Sequence, residues 1–170
     1  MASTMFSDGV NIGDLYTLLT ALKTNFNAML TKLDAEAEAG MDDDYSATYA
    51  ITTDFTSNAI DQQDIVDFLS DFQTNFNLVL TKLDSEDLTA SNYNSTLAVT
   101  DYVNNVGTGN IFGAGMNQGA MLYALNQYVT NFNSLLTKLD SDTSSESLDD
   151  TYHDLAVTDT IAESHCSALG

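Results

Sequence analysis

The segment Thr24-Asn25-Phe26-Asn27-Ala28-Met29-Leu30-Thr31-Lys32-Leu33-Asp34 occurs three times in this chain. It returns as Thr74-Asn75-Phe76-Asn77-Leu78-Val79-Leu80-Thr81-Lys82-Leu83-Asp84 and as Thr130-Asn131-Phe132-Asn133-Ser134-Leu135-Leu136-Thr137-Lys138-Leu139-Asp140, with variation only at its fifth and sixth positions. The copies start at 24, 74 and 130, so the spacing is 50 residues and then 56. Self-similarity at such a period marks an internal repeat, each copy building the same supersecondary unit.

Upstream of each segment and through it the apolar residues keep a helical period. Ile12, Leu15, Leu19, Leu22, Phe26, Met29 and Leu33 alternate steps of three and four, an a/d seam of about three heptads. Ile65, Leu69, Phe72, Phe76, Val79 and Leu83 follow the same course, as do Met121, Leu125, Tyr128, Phe132, Leu135 and Leu139. Leu30, Leu80 and Leu136 occupy an e position in every copy, which widens the stripe and calls for a second packing partner. Asn11, Asn58 and Asn117 are candidate helix caps, and Gly40 is a candidate stop. Lys32, Lys82 and Lys138 fall in the last turn, where a cation suits the negative end of the helix dipole.

Downstream of each helix comes an acidic connector and then a Tyr-led unit: Tyr45–Thr52, Tyr93–Thr100 and Tyr152–Thr158. Partial alternation of Tyr, Thr, Val and Ile reads as a short strand or an extended strap. A helix of about 23 residues is roughly 34 Å long, and about ten extended residues run back over that distance. The expectation is therefore a mainly α fold, with three heptad-patterned helices in a parallel pseudo-threefold bundle joined by extended or β return straps. Its layers would stack Phe26 with Phe76 and Phe132, and Leu33 with Leu83 and Leu139. The whole chain, 1–170, reads as one domain of three repeats (about 11–56, 57–110 and 111–160) with a tail at 161–170. Two other arrangements stay open: helices on separate beads of a solenoid, and helices joining an intermolecular coiled coil, which would be self-association.

Charge excludes whole classes of function. The 170 residues include four Lys, no Arg and 25 acidic residues, a formal charge of −21. So few dispersed cations cannot grip nucleic-acid phosphates, and an anionic membrane surface is an equally poor partner. No apolar run approaches the ~18 residues of a membrane span, and the first residues lack the basic start of a secretory signal. The single cysteine, Cys166, reads as a tail residue. Both histidines, His153 and His165, lie near the end, and no G-x-S-x-G, H-E-x-x-H or C-x-x-C occurs. No enzyme activity and no cofactor are expected.

Metal binding has only weak candidates. Asp140, Asp142 and Glu146 begin a run of oxygen donors, but the run lacks the glycine and the closing glutamate spacing of a calcium loop. Solvated loop charge is the preferred reading there and at Asp42-Asp43-Asp44. The paired asparagines Asn25/Asn27, Asn75/Asn77 and Asn131/Asn133 read first as hydrogen-bonding groups for the strap backbone, because a repeated contact needs a repeated donor. Tyr45, Tyr93 and Tyr152 read as packing residues. The Gly-rich stretch Asn104–Met116 breaks the repeat, and its apolar pair Ile111-Phe112 is the candidate for docking a partner.

Phe26-Asn27…Lys32-Leu33-Asp34 followed by Tyr45…Thr52, with their two equivalents, resembles the repeats of small virion structural proteins of tailed bacteriophages, of the head-fibre, decoration or accessory capsid type. The resemblance covers about half the chain. It implies a virion location, with the external surface favoured by the acidic charge, and partners among other virion proteins of capsid or appendage. The alternative function is an acidic cell-surface or glycan-binding adhesin-like module assisted by Ca²⁺.

Overall fold

The computed structural model describes residues 12–36, 41–55, 60, 62–86, 88, 92–99, 118–142, 148 and 151–158. The chain is mainly helical. Three long helices, α1 (Ile12–Ala35), α3 (Gln62–Leu83) and α5 (Gln118–Asp140), carry the repeated segments near their C-terminal ends. Each is followed by a short helical piece: α2 (Tyr45–Tyr49), α4 (Tyr93–Leu97) and a 3-10 turn (Tyr152–Leu155). The candidate caps Asn11, Asn58 and Asn117 and the candidate stop Gly40 lie outside the described residues.

The Tyr-led units therefore correct the expectation of β straps: no strand occurs among the described residues. The reason is a contact with the end of the preceding long helix. Asp34, the last residue of the repeated segment, accepts hydrogen bonds from the backbone N–H of Tyr45 (2.6 Å) and Ser46 (3.1 Å) and from the Ser46 hydroxyl. Asp84 takes the Tyr93 and Asn94 N–H groups at 2.5 and 3.0 Å, and Asp140 takes those of Tyr152 and His153 at 2.7 and 2.9 Å. A carboxylate that gathers two successive N–H groups satisfies a helical first turn, so each unit opens as a turn and not as a strand. Extension begins only afterwards. Ala50, Ala98 and Ala156 have nearly the same backbone (φ −60°, −55° and −61°; ψ 137°, 132° and 136°).

Every residue of the heptad seam from Leu15, Ile65 and Met121 onward is buried, as are Leu30, Leu80 and Leu136. The Phe26 ring lies 6.4 Å from that of Phe76, 6.2 Å from that of Phe132 and 5.2 Å from that of Phe72, in tilted contacts of the kind aromatic pairs favour. Phe72 also stacks on Tyr128 at 5.1 Å, and the Tyr128 hydroxyl donates to the Leu69 carbonyl at 3.2 Å, so the tyrosine enters the apolar seam without an orphaned hydroxyl. Leu18, Phe68 and Ala124, one position before the seam, are buried too. Phe68 meets Phe55 edge-on at 5.3 Å, which ties the chain just past the first Tyr-led unit to α3.

Contacts between elements run in a cycle. Each short piece packs on the long helix of its own repeat: α2 on α1, α4 on α3 and the 3-10 turn on α5. Each also touches a second long helix. α2 reaches α3, α4 reaches α5, and the 3-10 turn reaches α1.

Candidate functional site: the inter-repeat clasps

Polar residues of the repeated segment converge on the Tyr-led units and form the same clasp three times. The asparagine is the first part. Asn27 donates from Nδ2 to the Ile51 carbonyl at 3.0 Å and accepts the Ile51 N–H on Oδ1 at 2.9 Å. Asn77 does the same with Val99 (2.9 and 2.9 Å), and Asn133 with Val157 (2.9 and 2.9 Å). A carboxamide presents one donor and one acceptor side by side, the same pair that an extended residue offers, so it acts as a one-residue strand for the strap. The expected role of the second asparagine in each pair is met in all three copies. Of the first asparagines, Asn131 donates to the Leu97 carbonyl at 3.0 Å.

Tyrosine and lysine form the second part. Tyr45, Tyr93 and Tyr152 are fully buried, and each ring carries the lysine of another repeat. Lys82 Nζ sits 4.9 Å from the centre of the Tyr45 ring, Lys138 Nζ 4.1 Å from that of Tyr93, and Lys32 Nζ 4.7 Å from that of Tyr152. These are cation–π distances. Lys82 also contacts Asp42 at 2.9 Å and Asp44, while Lys32 donates to the Thr151 hydroxyl. The fourth lysine, Lys23, donates to the Thr53 carbonyl at 2.6 Å and to Asp54 at 2.7 Å.

Acids two residues beyond the helix-ending aspartate take up the phenols. Tyr45 donates to Glu86 at 2.9 Å, and Tyr93 to the buried carboxylate of Asp142 at 2.8 Å. Burial first, then the hydrogen bond to a carboxylate, pushes both phenols well above their ordinary value of 10.0. Burial works against the charge of Lys82, but the Asp44 and Asp42 carboxylates outweigh it and hold the ammonium above its ordinary range. Lys23 holds Asp54 below the usual carboxylate range. Each shift favours the resting protonation state: phenols stay neutral and the amine stays charged. A nucleophilic lysine or a tyrosinate base needs the opposite.

The metal candidates are otherwise engaged. Asp140 caps the 3-10 turn, Asp142 accepts the Tyr93 phenol, and Glu146 lies outside the described residues. Among the described residues, His, Cys, Asp and Glu form no cluster with metal-binding geometry. The docking candidates Ile111 and Phe112 lie outside the described residues, as do His165 and Cys166. Sequence reading assigned no role to Asp34 and Asp84, and to Asp140 only that of a weak metal candidate. A signal was there: an aspartate repeated at a helix C-terminus opposes the dipole, so it needs a partner from elsewhere in the chain.

Comparison with family models, with curated proteins and with solved structures finds no match.

Proposed function

We propose that this chain is a non-enzymatic structural module whose three long helices lie parallel about a pseudo-threefold axis, and that it serves as a component of a phage virion. One observation carries the reading. The residues the repeats share are spent on holding segments of this chain to one another: Asn27, Asn77 and Asn133 on straps, Asp34, Asp84 and Asp140 on turns, Lys32, Lys82 and Lys138 on tyrosines. In a repeat built around a ligand or a reaction, the shared polar groups would face that ligand. Here they specify shape, and the product is a rigid acidic rod.

The cyclic contacts and the approach of Phe26 to both Phe76 and Phe132 support the pseudo-threefold arrangement. A charge of −21 repels packaged genome and favours an outward placement with contacts to capsid or appendage proteins. The test is co-sedimentation of the purified chain with intact phage particles, beside a glycan-binding screen with and without Ca²⁺. Association with particles alone supports the virion reading. Glycan binding without particle association overturns it in favour of the adhesin.

A further inference from the structure

The three seams between repeats are built alike, but the chain does not join them alike. Lys82 on the Tyr45 ring links the first repeat to the second, and Lys138 on the Tyr93 ring links the second to the third. The last seam closes the cycle: Lys32 lies over the buried Tyr152 ring and donates to the Thr151 hydroxyl, 119 residues further along. Phe26 meets Phe132 at 6.2 Å across the same boundary. Each seam is heterologous, with two different faces that fit each other. A repeat that leaves its own bundle therefore finds the same two faces on another copy of the chain.

Connector length decides which repeat can leave. From Ile51, held by Asn27, the chain reaches the start of α3 through ten residues, 52–61. From Val99, held by Asn77 at the equivalent place, it reaches the start of α5 through eighteen, 100–117. The second crossing thus has eight residues beyond what the first one uses, roughly 26 Å of extended chain. Packed helices lie only about 8–10 Å apart, so that surplus reaches a neighbouring molecule. We propose that two copies of this chain exchange their third repeats, each α5 and its 3-10 turn seating on the first two repeats of the other. Both seams of the exchanged repeat are then remade between copies: its Lys138 on the other copy's Tyr93, and the other copy's Lys32 on its Tyr152. No new surface is needed, and what opposes the exchange is the entropy of association and the repulsion of two acidic chains. The inference rests on the cycle of contacts between repeats and not on the virion placement, so particle binding and exchange succeed or fail separately.

The experiment unfolds the full chain in urea and refolds it, half isotope-labelled and half unlabelled, at micromolar and at millimolar concentration. Molar salt is present to screen the repulsion between two copies of charge −21. Closure within one chain competes at an effective concentration of roughly millimolar order, so the dilute sample should be monomer and the concentrated one should hold dimer by light scattering. Isotope-filtered Overhauser spectra of the mixed dimer should join Phe26 of the labelled copy to Phe132 of the unlabelled copy. Deleting residues 103–110 leaves a connector of ten residues, the length that already serves the first crossing, and should lower the dimer fraction roughly tenfold or more. A wild type that is monomeric at both concentrations, a dimer whose Phe26-to-Phe132 contacts stay within each copy, or an undiminished dimer in the shortened chain would overturn the proposal.

Discussion

A single carboxamide decides whether each extended strap is satisfied. Asn77 supplies the donor and the acceptor to Val99 at 2.9 Å each, and the Val99 side chain is itself buried. Truncation removes both bonds and leaves a backbone N–H and C=O without their partner, at a cost of about 1–3 kcal/mol. Asn77→Ala should therefore lower the urea midpoint by an amount in that range, with an unchanged slope. Asn77→Asp keeps the acceptor and loses the donor, and should fall between alanine and wild type. A loss below about 0.5 kcal/mol for the alanine variant would mean that water replaces the clamp. The role was legible because Asn27, Asn77 and Asn133 recur beside a buried phenylalanine. The partner of Asp84 was not legible, since it depends on where the connector brings Tyr93 back.

At the scale of elements, the Tyr-led units show why alternation misled. Tyr93-Asn94-Ser95-Thr96-Leu97 has residues that suit a strand, yet it forms the helical piece α4 because Asp84 presents a ready acceptor for its first N–H groups. A tertiary contact overrode a weak local propensity. The same units owe their place to the lysines. Lys82→Met keeps the aliphatic stem over the Tyr45 ring and removes the charge, while Asp42 and Asp44, both largely exposed, regain water. The expected destabilisation is that of a cation–π contact, about 0.5–2 kcal/mol. Lys138→Met should cost a similar amount through Tyr93, although no carboxylate contact like that of Lys82 is needed for the effect. Thermal unfolding of the two variants checks this. No measurable loss for either variant would show that the lysines do not hold the tyrosines in place.

For the whole molecule, the seam from Leu15 to Leu33 and its two counterparts marked the centre of the core, because period and burial are coupled in any amphipathic helix. What periodicity could not give was the closure of the cycle, which rests on contacts such as Lys32 to Thr151, residues far apart in sequence. Closure has a consequence at alkaline pH. Tyr45 and Tyr93 join one repeat to the next through buried phenols whose ionisation is pushed far upward, whereas in the unfolded chain they titrate near 10.0. Above that pH the unfolded state has lost protons that the folded state still holds, so the free energy of unfolding falls as pH rises. Below it the phenols are neutral in both states and contribute their full stability. Lys82, also held above its ordinary value, acts in the same direction. Stability should thus decline from about pH 10 upward, and tyrosinate absorbance near 295 nm should rise in two stages. Tyr45 and Tyr93, two of the chain's eight tyrosines, belong to the second stage and ionise only as the helical circular dichroism is lost. Added salt screens the general repulsion of a strongly acidic chain but leaves the buried phenols buried, so the second stage should persist in molar salt. If all eight tyrosines titrate reversibly while the helical signal is intact, the clasps open without unfolding, and the rods are held by their apolar seam alone.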